Sequence, residues 1–137
     1  MPHGAGCLCG AVRIAIAAEP LATRTCWCRL CQYLSAGGGT VNAVFPAEAV
    51  TVQGEVRWLE GTADSGNHME RGFCPACGTP LFSKSAARPR LLIVRAGALD
   101  DPGLAAPDLT IWTSAAPRWA VFDPQLPQVE GQPAPIA

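Results

Sequence analysis

The chain has 137 residues, 49% of them hydrophobic and only 15% charged, with a net charge of −1. That is enough apolar material for one domain with a core, and the near-neutral balance argues against a nucleic-acid binder while leaving room for a small local basic patch. No apolar run reaches the length of a membrane span and the first residues lack the regions of a signal peptide, so we expect a cytoplasmic protein with no membrane partner.

In chain order, His3-Gly4-Ala5-Gly6 is expected to be a flexible lead-in, followed by Cys7-Leu8-Cys9-Gly10. A glycine after a cysteine pair suits a metal knuckle, because the chain must turn sharply and glycine tolerates positive φ. Val12, Ile14 and Ile16 alternate with Ala11, Arg13 and Ala15, which predicts a half-buried strand ending at Glu19-Pro20. A short strand over residues 21–25 delivers Cys26, and residues 28–34 allow two helical turns with Leu30 and Leu34 on one face. The glycine run 37–39 stops that helix and could let backbone approach a ligand.

Strands are predicted over 40–45, 50–53 and 56–60, the last two as a hairpin around Gly54-Glu55. Residues 62–67 form a polar surface loop. Cys74-Pro75-Ala76-Cys77-Gly78 is a second knuckle, and further strands follow at 81–82, 91–94 and 109–112. The core should span about 4–123. The remaining residues, 124–137, hold four prolines and are expected to be an extended tail.

Clustered cysteines in a reducing compartment are more often metal ligands than disulfides. The seven divide into Cys7, Cys9, Cys74 and Cys77, two glycine-followed pairs that can close a tetrahedral structural zinc site, and the triplet Cys26, Cys28 and Cys31. Three ligands leave one tetrahedral position for water or substrate, as in zinc sites that do chemistry. Two other readings of the triplet stand beside this one. Its cysteines could be buried apolar residues, or a fourth ligand such as His3, His68 or an aspartate could close the site.

These residues resemble the glutathione-dependent formaldehyde-activating enzymes, which share a domain with centromere protein V. The resemblance is carried by Gly6 to Arg13, the triplet, Arg71 to Thr79, Gly97 to Pro102, Ile111-Trp112 and Pro117-Arg118-Trp119. It implies a mainly β fold, a β-tent of several small coiled antiparallel sheets held by zinc with little helix. It implies two zinc ions per chain, one structural on the four cysteines and one catalytic and exchangeable on the triplet. It also implies a carbon–sulfur lyase that adds glutathione to formaldehyde. The chain departs from the family where Trp27 replaces the usual histidine, and where Ala115-Ala116 replace a segment that often carries a basic residue.

A zinc on three thiolates carries a net charge of −1 and is a poor Lewis acid, but a thiol bound to it can lose its proton and stay nucleophilic. The expected partners are therefore a glutathione-like thiol and a small aldehyde. Trp27, Arg29 and Arg71 are the candidate substrate contacts, with Arg24 as a further cation. A non-catalytic zinc-stabilised binding module is the alternative function, and a homodimer is left open.

Overall fold

The computed structural model describes residues 3–136. Its architecture is mainly β, with ten strands, one short α-helix and several 3₁₀ turns. Strands β1 (His3–Gly6), β2 (Arg13–Ile16) and β5 (Val50–Gln53) form a three-stranded antiparallel sheet in the order β1-β2-β5. The second sheet has seven strands. It takes β3 (Ala22–Cys26), β4 (Thr40–Pro46), β6 (Arg57–Thr62), β7 (His68–Phe73), β8 (Pro80–Ser85), β9 (Leu91–Arg95) and β10 (Leu109–Ile111), in the order β10-β3-β4-β9-β8-β7-β6. Every pairing is antiparallel except β10 with β3.

The core follows from the period of two in the strands. Ile14 and Ile16 of β2 are buried while Arg13 and Ala15 are exposed. In the large sheet Ala43, Phe45, Phe82 and Val94 point into the same core, where Ala5, Val12, Ile14 and Ile16 meet them from the small sheet. Trp58 stacks on Phe82 with ring centroids 5.7 Å apart.

Two expectations are corrected. Residues 3–6 are not a loose lead-in: they pair with β2, and Ala5 is fully buried. Their glycines serve close packing, since a Cβ on Gly6 would lie 2.5 Å from the Arg13 guanidinium. The hairpin around Gly54-Glu55 does not form. Gly54, at φ +103°, turns the chain from one sheet to the other, so β5 pairs with β2 and β6 with β7. The expected partners lie in different sheets, β5 paired with β2 over four residues and β6 with β7 over six.

The last segment runs alongside β10. The Thr110 amide donates to the Pro127 carbonyl at 3.0 Å and the Val129 amide returns to Thr110 at 2.9 Å. Val129 packs on a second apolar cluster made by Cys26, Cys28, Cys31 and Ile111. No helix among the described residues is long and apolar enough to cross a membrane.

Candidate metal centres

The seven cysteines assemble as four and three. The Sγ atoms of Cys7, Cys9, Cys74 and Cys77 lie within 4.8 Å of one another, and so do those of Cys26, Cys28 and Cys31. In the first group Cys7 and Cys9 are 3.6 Å apart, and Cys9 and Cys74 are 3.8 Å apart. Zinc–sulfur bonds of about 2.3 Å in a tetrahedron place sulfurs about 3.8 Å apart, so these residues fit the ion.

Both knuckles owe their shape to glycine, at φ +83° for Gly10 and +77° for Gly78. The turns aim amides at sulfur: Val12 N–H donates to Cys7 Sγ at 3.2 Å and Cys77 N–H to Cys74 Sγ at 3.5 Å. Thr79 ties the knuckles together, its hydroxyl accepting from the Leu8 amide and lying 3.1 Å from Cys77 Sγ. That contact, with the backbone of Thr79 and Cys9, drives the Cys77 thiol down to about 5. Cys9, despite the Ala11 amide, is pushed up to about 11 by Cys7 and Cys77. Four crowded thiols share their protons unequally, and only a cation among them lets all four ionise.

The triplet is built differently. Strand β3 ends on Cys26, which lies opposite Thr40 of β4 and Ile111 of β10. Helix α1 (Arg29–Leu34) then begins with Cys28 as its cap, the sulfur accepting from the Cys31 amide at 3.4 Å. The spacing of three places Cys28 and Cys31 on one face of that turn. Asp64 accepts the Arg29 amide at 3.0 Å, and buried Gln32 donates to the carbonyls of Trp27 (2.7 Å) and Ala115 (3.0 Å). All three cysteines are buried. Cys26 and Cys28 push the Cys31 thiol down to about 3, helped by Thr40 and Arg95, while Cys26 is pushed up by the same crowding and by burial. Among the described residues no histidine, aspartate or glutamate joins the triplet. His3 pairs with Glu19 and His68 lies 3.7 Å from Glu60. Three soft donors with no fourth protein ligand fit zinc with an open position.

The triplet opens into a cavity of about 240 Å³ on the face of the large sheet opposite the core. The same period of two that sends Ala43, Phe45 and Val94 inward sends Arg24, Asn42, Val44, Ile93 and Arg95 to this face. Arg95 is 9% exposed, and burial pulls its pKa down against the opposing pull of the cysteine thiolates. One guanidinium nitrogen donates to Asn42 Oδ1 at 2.6 Å, but its Nε has no partner, and neither does Arg24 Nε. Arg88 also lines the cavity, against a single carboxylate, Asp64, while the Lys84 ammonium is engaged by Glu70 at 3.4 Å and the Trp58 ring at 4.2 Å.

Of the substrate contacts expected from sequence, Arg24 lines this cavity, and Trp27, Arg29 and Arg71 do not. Trp27 is buried, edge-on to Trp119 (6.3 Å) and Phe122 (5.8 Å). Arg29 lies over the Tyr33 ring at 5.0 Å and bonds Gln32. Arg71 sits in register with Ser83 on the cavity face of the sheet, outside the lining. Arg95 and the loop residues Ala63, Asp64, Ser65 and Asn67 were missed. The usable signal was alternation: an asparagine within the apolar 40–45 run and an arginine closing 91–94 mark a buried polar face.

The profile of the family described as glutathione-dependent formaldehyde-activating enzyme matches residues 2–115. This chain belongs to that family. No curated protein matches the sequence. A crystal structure of a Rhodobacter sphaeroides structural-genomics target is similar, with a TM-score of 0.55 and 22% identity over 71% of this chain and 87% of that one. That likeness shows the fold. Arg13 and Asp100, far apart in sequence, meet in a bidentate pair at 3.2 and 2.7 Å across the small sheet's edge.

Proposed function

We propose that the protein is a zinc-dependent carbon–sulfur lyase that reversibly adds a carboxylate-bearing thiol to a small aldehyde. The observation that carries this reading is the triplet of buried thiols with no fourth protein ligand, set in a cavity whose cations outnumber its carboxylates. Zinc bound there would supply a position at which an incoming thiol ionises. The new S–C bond forms as the carbonyl π bond breaks, and the proton lost by the thiol ends on the carbonyl oxygen. Arg24 and Arg95 hold the substrate carboxylate, each with a buried N–H free to donate. Val44, Ile93 and Ile111 keep water from the reacting carbon. Glutathione and formaldehyde, the pair in the family's name, are the reference substrates, and the chain works as a soluble cytoplasmic enzyme.

The test is hemithioacetal formation by zinc-loaded protein, followed by NMR with formaldehyde and a set of thiols. We expect acceleration that disappears in Cys28→Ser. In Arg24→Gln we expect about tenfold lower kcat/KM for acidic thiols and little change for neutral ones. Equal rates for the parent and Cys28→Ser would overturn the reading and leave the non-catalytic module.

A further inference from the structure

The family profile ends at residue 115, yet the cavity over the triplet is not closed by residues within that match alone. Its outer wall is Gln132, Pro133, Ala134, Pro135 and Ile136. We infer that this C-terminal strap sets substrate size at the triplet, restricting the site to acidic thiols smaller than glutathione. The inference rests on the thiol reading above and narrows it.

Three observations support it. First, the segment that leads into the strap, residues 129–131, is held by specific bonds. The Trp112 amide donates to Gly131 at 3.3 Å, Thr113 to Val129 at 3.2 Å, and the Ser114 hydroxyl to Glu130 at 2.6 Å. Second, the residue that fastens it is strained. Trp112 has φ +58° and ψ +36°, a left-handed conformation costly for a bulky side chain. In that conformation its indole N–H donates to Gln132 Oε1 at 3.0 Å while the ring lines the cavity. Third, the cavity, partly open to solvent, is small. A cavity of about 240 Å³ lies below the roughly 300–1,000 Å³ of sites that hold drug-sized ligands, and a tripeptide thiol is of that size.

The charges select among small thiols. Arg24, Arg88 and Arg95 share the space with Asp64, so the occupant carries a carboxylate. The sulfur would sit at the triplet and the carboxylate at Arg24 and Arg95, both on the same sheet face as Cys26. The strap's prolines and alanine offer no side-chain charge to the second carboxylate of a larger thiol.

The experiment uses cobalt(II)-loaded protein, whose open triplet site reports thiol binding by charge-transfer absorption, titrated with 3-mercaptopropionate and with glutathione. The variants are a chain ended after Gln132, which keeps every bond named above, and full-length Gln132→Ala, which removes only the indole partner. In the parent, 3-mercaptopropionate should bind at least about tenfold tighter than glutathione. In the shortened chain glutathione should gain about tenfold while 3-mercaptopropionate changes by less than about twofold, with Gln132→Ala in between. The same size preference in parent and shortened chain would overturn the inference alone. No thiol response in any of the three proteins would overturn the thiol reading and this inference with it.

Discussion

The two cysteine groups use the same ligand chemistry for opposite ends. The four-cysteine group joins the loop after β1 to the loop after β7, sixty-five residues apart between Cys9 and Cys74, and Cys9 is exposed. The triplet spans six residues, is buried throughout, and faces a cavity instead of closing on itself. A cross-link between distant segments stabilises by restricting the unfolded chain, whereas a local cluster restricts almost nothing. Ligand number and loop length together separate a metal that holds a fold from a metal a substrate can reach.

The largest expected effect breaks that contrast directly. Cys74→Ser should lower stability by on the order of 4 kcal/mol, the scale of a long closed loop, while Cys28→Ser should keep a near-normal Tm and lose one zinc. Zinc content and circular dichroism followed together during mild chelation give the same answer in the parent: the first ion should leave with the fold intact. Unfolding that tracks the first ion, or equal destabilisation by both substitutions, would show that the groups do not differ in role.

A smaller effect tests how the triplet loop is braced. Trp27 stands where the family usually has histidine, and it packs against Trp119 and Phe122 with its back to the cavity. Edge-to-face aromatic pairs contribute about 0.5–1.5 kcal/mol each beyond area burial. Trp27→His should therefore cost about 2 kcal/mol by denaturant melts and leave the ratio of thiol affinities unchanged. A changed ratio at unchanged stability would place the indole at the substrate after all.

These outcomes also mark what was legible beforehand. The cysteine partition could be read because ligand spacing is local and each knuckle announces itself by a following glycine. The strand at 12–16 was legible from alternation and the one at 91–94 from an unbroken apolar run. What escaped was pairing over distance. β5 and β6 are adjacent in sequence and end in different sheets, and residues 3–6 look mobile until their partner, β2, is known. Of the cavity's two arginines with a buried Nε, Arg24 was among the expected cations and Arg95 escaped for the same reason. Arg24 and Arg95 are seventy-one residues apart and become neighbours of the triplet only through the β3-β4-β9 register, in which Asn42 of β4 faces both. Arg29, closer in sequence, points along its own helix to Tyr33.

The smallest expected effect concerns the edge of the small sheet, where Arg13 pairs with Gly6, the residue before Cys7. Arg13 of β2 clamps Asp100, whose amide in turn donates to Gly4 at 2.9 Å. The hydrogen bonds from Arg13, and then its charge, hold the Asp100 carboxyl below its ordinary value. A carboxyl lowered in the folded state favours folding only while it is ionised. Its contribution is complete above the unfolded aspartate value of about 3.9 and is lost as pH falls through the lower folded value. Both partners are about half exposed, so solvent and salt weaken the pair and the effect is modest. Asp100→Asn should therefore lower the Tm slightly at neutral pH and flatten the acid limb of the stability curve below about pH 4, with the parent and variant converging there. The zinc content of both groups should be unchanged at neutral pH. Curves that stay parallel down to low pH would mean that the clamp acts by packing around Gly4 and Gly6 rather than by charge.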